Sequence, residues 1–142
     1  MTLTQIYDFL NTHNLAVIST SNQDVPEAAL IGFGQTKDLT LIFGTSTQSR
    51  KYQNLQTNTR VALVIGWGED SKTVQYEGIA TELNKSDVEE LVGVYHAKVP
   101  AAVRFQNDPD QTYFKVKPIW LRFSCHKVGE EAAFEFQFDD VR

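Results

Sequence analysis

Between residues 39 and 67 two apolar runs flank one short helical segment, and this stretch restricts the fold more than any other. Leu39 to Phe43 reads as a strand. Gly44 breaks it, and the hydroxyl and amide residues Thr45, Ser46, Thr47, Gln48 and Ser49 follow. Arg50 and Lys51 then open a helical pattern in which Tyr52 and Leu55 share a face and Asn58 closes the turn. Arg60 to Trp67 is a second, longer apolar strand. With Thr47 as the cap, both cations fall in the first helical turn, where the macrodipole disfavours positive charge by roughly 0.3–1 kcal/mol each. A bound anion reverses the sign, because it collects free backbone N–H groups, hydroxyls and two charge-assisted donors at once. A solvated basic turn is the plainer alternative, and spacing alone leaves both open.

The rest of the chain reads as short strands and few helices. Thr2 and Gln5 have capping-box spacing, and Ile6, Phe9 and Leu10 form a helical stripe that ends near Asn14. Leu15 to Thr20 is a strand, Ser21 to Asp24 a turn, and Glu27 to Gly34 a second strand that thins to Gly-Phe-Gly. Glycines there mark a bulge or the close approach of a ligand. Gly68 to Lys72 makes a hairpin turn, and Thr73 to Leu83 a long strand with a bulge expected at Gly78. Ser86 and Glu89 suggest a second capping box, opening a helix with Val88, Leu91, Val92 and Tyr95 on one face and Pro100 beyond its end. An irregular segment leads to strands over Tyr113 to Val116 and Ile119 to Cys125, separated by Pro118. Phe134, Phe136 and Phe138 alternate in a last half-buried strand. The sum is about seven or eight strands and three short helices, an antiparallel β-barrel with flanking α-structure in a single domain over residues 1–142.

Charge and cysteine usage narrow the function. A net charge of -5 and a pI near 5.1 argue against nucleic acid or an anionic membrane as partner. The single Cys125 permits no internal disulfide and fits a reducing compartment, and no secretory or membrane-spanning pattern is visible, so a cytoplasmic location is expected. His13, His96 and His126 lack zinc-ligand spacing, so no metal is expected. Cys125 reads as a small buried hydrophobe, and Ser124 has no base partner.

The run Phe43-Gly44-Thr45-Ser46-Thr47-Gln48-Ser49-Arg50-Lys51, followed by Asn58-Thr59-Arg60-Val61 and Trp67, resembles the FMN-binding split-barrel family that includes pyridoxamine 5′-phosphate oxidase. The likeness extends loosely from Leu15 to Leu83, with an echo near Trp120. It implies a split β-barrel, FMN as cofactor and a homodimer with the flavin in a groove between subunits. Residue by residue, it implies that Arg50 and Lys51 bind the FMN phosphate with Ser49 and Thr45. Gly44 would admit the ribityl tail, and Leu30, Ile31, Gly32 and Phe33 would line the isoalloxazine. Trp67 and Trp120 are core residues by default, and the family offers them a cofactor contact instead. Thr73 and Gln75 form either a solvent-facing pair or a polar flavin contact. Some relatives bind haem, for which His126 is the imaginable ligand, and others use the deazaflavin F420.

The departures separate flavin from substrate. The oxidase carries Arg and Lys on its flavin-contacting strand, whereas Ala28 to Gly34 has no charge. Near Trp120 only Arg122 is basic, and Arg104 and Arg122 are the sole candidates to reach the ring from a partner subunit. These features point to an FMN-dependent oxidoreductase on a small substrate, not a vitamin B6 oxidase. A non-catalytic flavin-binding or stress protein is the alternative.

Overall fold

The computed structural model describes residues 1–139; the last three positions of the single domain expected over 1–142 lie outside the described residues. In chain order the elements are α1 (Leu3–Asn11), β1 (Leu15–Asn22), β2 (Val25–Gly32), β3 (Gly34–Gln35), β4 (Leu41–Ser46), α2 (Arg50–Thr57), β5 (Arg60–Ile65), β6 (Lys72–Glu82), α3 (Lys85–Lys98), a 3-10 segment (Pro100–Phe105), β7 (Gln111–Cys125) and β8 (Ala132–Gln137). One antiparallel sheet runs β2-β1-β5-β6-β7-β4-β3, with β8 pairing β7, and it curls so that β2 also meets β4. Alternation decides which face is inside. Ala16 and Ile18 of β1, Val61, Leu63 and Ile65 of β5, and Val74 and Tyr76 of β6 point into one core with Phe43, Phe114 and Leu121. Ile6 and Leu10 of α1 close that core at one end. The Thr2–Gln5 capping box that starts α1 forms in both directions.

Several boundaries differ from the sequence reading, each for a local reason. Pro118 does not divide two strands; β7 is continuous over fifteen residues. Pro118 falls between the part of β7 that pairs β4 and the part that pairs β8, opposite a bulge after Glu77. A residue without an N–H is tolerated at such a bulge and change of partner. Leu39 is not in a strand but in a turn at φ 65°, with its side chain fully buried. Tyr76 holds that turn with its hydroxyl, whose one hydrogen is shared between Leu39 O at 2.8 Å and Val116 O at 3.0 Å. Gly66, at φ 89°, ends β5 before Trp67. The α3 cap is Asn84, whose side chain accepts from Asp87 N, and not Ser86. The Gly-Phe-Gly stretch breaks β2 from β3, and Gly34 lies where an added Cβ would stand 2.8 Å from Tyr95 Cα. Helix α3 therefore packs directly on that backbone.

A lysine ties the helices together. Lys98, in the last turn of α3, donates to Leu10 O at 3.0 Å and Gln35 Oε1 at 2.5 Å, and lies 3.6 Å from the Phe33 ring centroid. No carboxylate is among these partners. Burial lowers the pKa of this ammonium from 10.5 to about 7. Between those values the unfolded chain holds a proton that the folded protein does not, so stability rises with pH across that window. The melting temperature of the wild type minus that of Lys98→Met is expected to climb between about pH 7 and pH 10. A flat difference would show that the amine titrates normally in the fold.

Candidate functional site

Helix α2 starts two residues later than its polar lead-in suggested. Ser49, not Thr47, is the N-cap, with its Oγ accepting from Tyr52 N at 3.2 Å. Arg50 and Lys51 are thus the first two helical residues, and their N–H groups have no partner within the helix. Ser49 Oγ also donates to Ser46 O at 2.8 Å and lies 3.0 Å from Thr45 Oγ1. A hydroxyl has one hydrogen, so Thr45 supplies the proton of that second contact. Both hydroxyls are spent on shaping the turn. What remains for a ligand is the first-turn backbone and the cations.

Beside this turn opens a cavity of about 520 Å³. Its walls come from β2 (Leu30, Ile31, Gly32), from β4 and the turn after it (Gly44, Thr45, Ser46, Ser49), from Lys51, and from the α3 corner (Tyr95, Val99, Ala101, Ala102, Arg104, Phe105). The volume is within the usual range for small-molecule and cofactor sites. Burial lowers the Lys51 pKa, so its ammonium has given up hydration that an anion would restore. The Tyr95 ring closes the floor. Its hydroxyl is hydrogen-bonded to the Gly44 backbone and lies 3.7 Å from where a Gly32 Cβ would be. Burial outweighs that hydrogen bond and raises the Tyr95 pKa, so the phenol is neutral at physiological pH. The room above Gly44 is occupied by the Gln111 amide, 2.3 Å from an imagined Cβ, and by the Tyr113 ring.

Of the thirteen residues singled out from sequence, Leu30, Ile31, Gly32, Gly44, Thr45, Ser49 and Lys51 converge on this cavity. Arg50 turns away: its Nη1 meets Glu27 Oε2 at 2.6 Å. Phe33 is fully buried beneath Lys98. Trp67 is half exposed beyond the end of β5. Thr73, Gln75 and Trp120 belong to the outer sheet face, where Gln75 and Trp120 edge a second hollow with Val17 and Val64. Arg122 is on that face too, paired with Glu135 at 3.0 Å, whereas Arg104 lines the cavity of its own chain. Tyr95, Gln111 and Glu27 carried no sequence flag. The nearest signal was Pro100-Ala101-Ala102 after α3, a sharp corner with small residues that lets a helix end lie against a ligand space.

The histidines lie elsewhere. His13 is 3.5 Å from Glu69, His96 stacks edge-on with Tyr113, and His126 is exposed after β7. No residue lining the cavity is His, Cys or Met. Among the described residues no three His, Cys, Asp or Glu side chains converge as a metal group, and no helix is long and apolar enough to cross a membrane.

Comparison with known proteins places this architecture. A pyridoxine/pyridoxamine 5′-phosphate oxidase of Ehrlichia chaffeensis is 33% identical over 85 residues, which cover 59% of this chain and 41% of that protein. The chain therefore matches less than half the length of that relative. A heme binding protein from Mycobacterium smegmatis superposes with a TM-score of 0.81 at 13% identity, covering 95% of this chain and 57% of the other. General Stress Protein 26 from Bacillus anthracis superposes at 0.71 and 19% identity, covering 94% of this chain and 99% of the other. At those identities the structures speak for the fold. The family model for pyridoxamine 5′-phosphate oxidase matches residues 3–125, nearly the whole described chain, and the protein belongs to that family.

Proposed function

We propose that the protein binds FMN in the cavity beside α2 and acts as an FMN-dependent oxidoreductase on a small substrate. The observation that carries this reading is the convergence of Lys51, the first turn of α2 and the uncharged strand Leu30 to Gly32 on one space. Lys51 and the first-turn N–H groups suit a phosphate. Leu30, Ile31 and Gly32 offer a flat, apolar strand with backbone polar groups, which suits the edge of an isoalloxazine. The flavin supplies the hydride chemistry when bound. Ser49 and Thr45 hold the turn in shape, Tyr95 closes the floor, and Phe105 and Val99 limit access of water. Titration of apoprotein with FMN tests this. Saturable quenching at micromolar protein is expected, and its absence sinks the proposal. Anaerobic mixing with NADH or NADPH then separates enzyme from carrier: rapid bleaching supports an oxidoreductase, and none with either donor leaves a flavin-binding protein. Haem is the weaker candidate, because the cavity lacks His, Cys and Met, and the one other side chain of a kind that ligates iron, Tyr95, has a phenol kept neutral by burial and bonded to the Gly44 backbone.

Vitamin B6 oxidation is not part of this proposal. Pyridoxamine 5′-phosphate is a second dianion and needs converging cations of its own. With Lys51 given to the cofactor, Arg104 is, among the described residues, the one cation left on the cavity wall.

We further propose that the outer sheet face joins two copies of the chain. Leu30, Val17, Val64 and Gln75 stand side by side across β2, β1, β5 and β6, and Leu30 and Val64 are 59% and 41% exposed. Leu30 also lines the cavity, so the apolar row leads from the proposed site to Gln75 and Trp120. In a dimer those two residues would come to the flavin from the other subunit. Light scattering is expected to return twice 16.1 kDa, and Val64→Lys should halve it. A wild-type monomer would remove both the dimer and any role for Trp120 at the site.

A further inference from the structure

We propose that Glu27 is a built-in counter-ion that holds Arg50 off the cavity and so sets how tightly the site grips a phosphate. This rests on the flavin reading above. Arg50 and Lys51 are consecutive helical residues, so their side chains leave the axis roughly 100° apart and, with Glu27 present, go to different places. Lys51 takes the cavity. Arg50 instead reaches a small recess beside Thr20, Glu27, Ala28 and Ala29, which Lys51 also borders.

The carboxylate it finds there is fixed from behind. Glu27 Oε1 accepts from Asn54 Nδ2 at 2.9 Å, and Asn54 is 5% exposed. The same amide nitrogen donates to Oγ1 of buried Thr20 at 2.9 Å, so both of its hydrogens are committed. Glu27 is therefore an anchored acceptor, and Arg50 is the exposed partner, with its side chain 74% exposed. Two consequences oppose a phosphate at the start of α2. A guanidinium that could serve the ligand is occupied, and a negative charge stands next to the turn. Both act on the phosphate end alone, so the device should discriminate FMN from riboflavin less than two free cations would.

Titrations of apoprotein with FMN and with riboflavin decide it, using the wild type, Glu27→Gln, Arg50→Ala and the double variant. Glu27→Gln keeps the oxygen that Asn54 donates to, so the fold is retained, and circular dichroism checks this. The expected results are FMN binding tightened roughly three- to tenfold by Glu27→Gln, with riboflavin unmoved. Arg50→Ala alone should change FMN affinity less than about twofold, yet erase the gain in the Glu27→Gln background. The inference is overturned if Glu27→Gln and Arg50→Ala each weaken FMN about tenfold, since Glu27 would then aim Arg50 at the phosphate. It is equally overturned if Glu27→Gln does nothing, or tightens riboflavin as much as FMN. A wild type that binds FMN while the variants behave so removes this inference only; a set in which nothing binds FMN removes the flavin reading as well.

Discussion

Lys51→Met should weaken FMN binding roughly ten- to a hundredfold, the range for losing one charge-assisted hydrogen bond, while riboflavin binding changes little. Methionine keeps most of the stem and loses the ammonium, so packing against the cavity wall is preserved. The contrast with Arg50 is what makes the experiment informative. Both cations sit at the start of α2, and an unstructured reading of the motif treats them alike. Only Lys51 lines the cavity, and its lowered pKa marks an ammonium that has already lost water. A phosphate there would reverse that shift, since an opposite charge favours the protonated lysine. Fluorescence titration of FMN and riboflavin reads the two affinities. An equal loss for both ligands would mean that Lys51 shapes the cavity without meeting the phosphate.

The site was half legible in sequence, and the division follows from which residues act locally. Gly44 to Lys51 is one uninterrupted turn between a strand and a helix, so its residues stay neighbours in any fold that forms those elements. Leu30, Ile31 and Gly32 reach the same place through the curl of the sheet, which brings β2 against β4, and only the resemblance indicated this. Phe33 was taken with them. It lies in the break between β2 and β3, and its side chain is buried in the core beneath Lys98. Arg50 shows a different limit. Its direction is set by Glu27, more than twenty positions earlier, and no periodicity reports a long-range ion pair. Tyr95 was counted as a helix face residue, which it is. Its hydroxyl reaches between β2 and β4 only because Gly34 lets α3 sit on the backbone.

The fold followed its hydrophobic periods closely, and it departed from them where backbone chemistry decides. Alternation in β1, β5 and β6 gave the buried rows directly. A proline inside β7 was read as an interruption because a ladder normally needs every N–H. The bulge and the change of partner at that point remove the need. Leu39 has a side chain suited to a strand and a backbone held in a turn by Thr36, Thr40 and the Tyr76 hydroxyl. Burial of the leucine, worth about 1.5–3 kcal/mol, offsets the roughly 1–2 kcal/mol cost of a left-handed residue.

Gly78→Ala is expected to destabilise the protein by about 3 kcal/mol or more, lowering its melting temperature by roughly 10 °C. Gly78 has no need of a positive φ; its requirement is space. A Cβ there would stand 2.4 Å from Lys117 O and 2.7 Å from a Val116 methyl, inside a buried ladder. The carbonyl belongs to backbone, so no rotamer change relieves the clash. The strands must separate at the bulge opposite Pro118, where β6 and β7 change register. That bulge aligns the first half of β7 with β4 and the second half with β8, so the damage spreads to both. The Tyr76 ring lies 3.0 Å from the same Cβ position, which threatens its hydrogen bonds to Leu39 and Val116 as well. Gly93→Ala is the matched control. Gly93 is exposed in α3, an added Cβ meets nothing within 4 Å, and alanine should stabilise the helix by about 0.5–1 kcal/mol. Thermal melts of the two variants should therefore move in opposite directions. If Gly78→Ala melts within about 2 °C of the wild type, the close approach of β6 and β7 at this bulge is not present in solution.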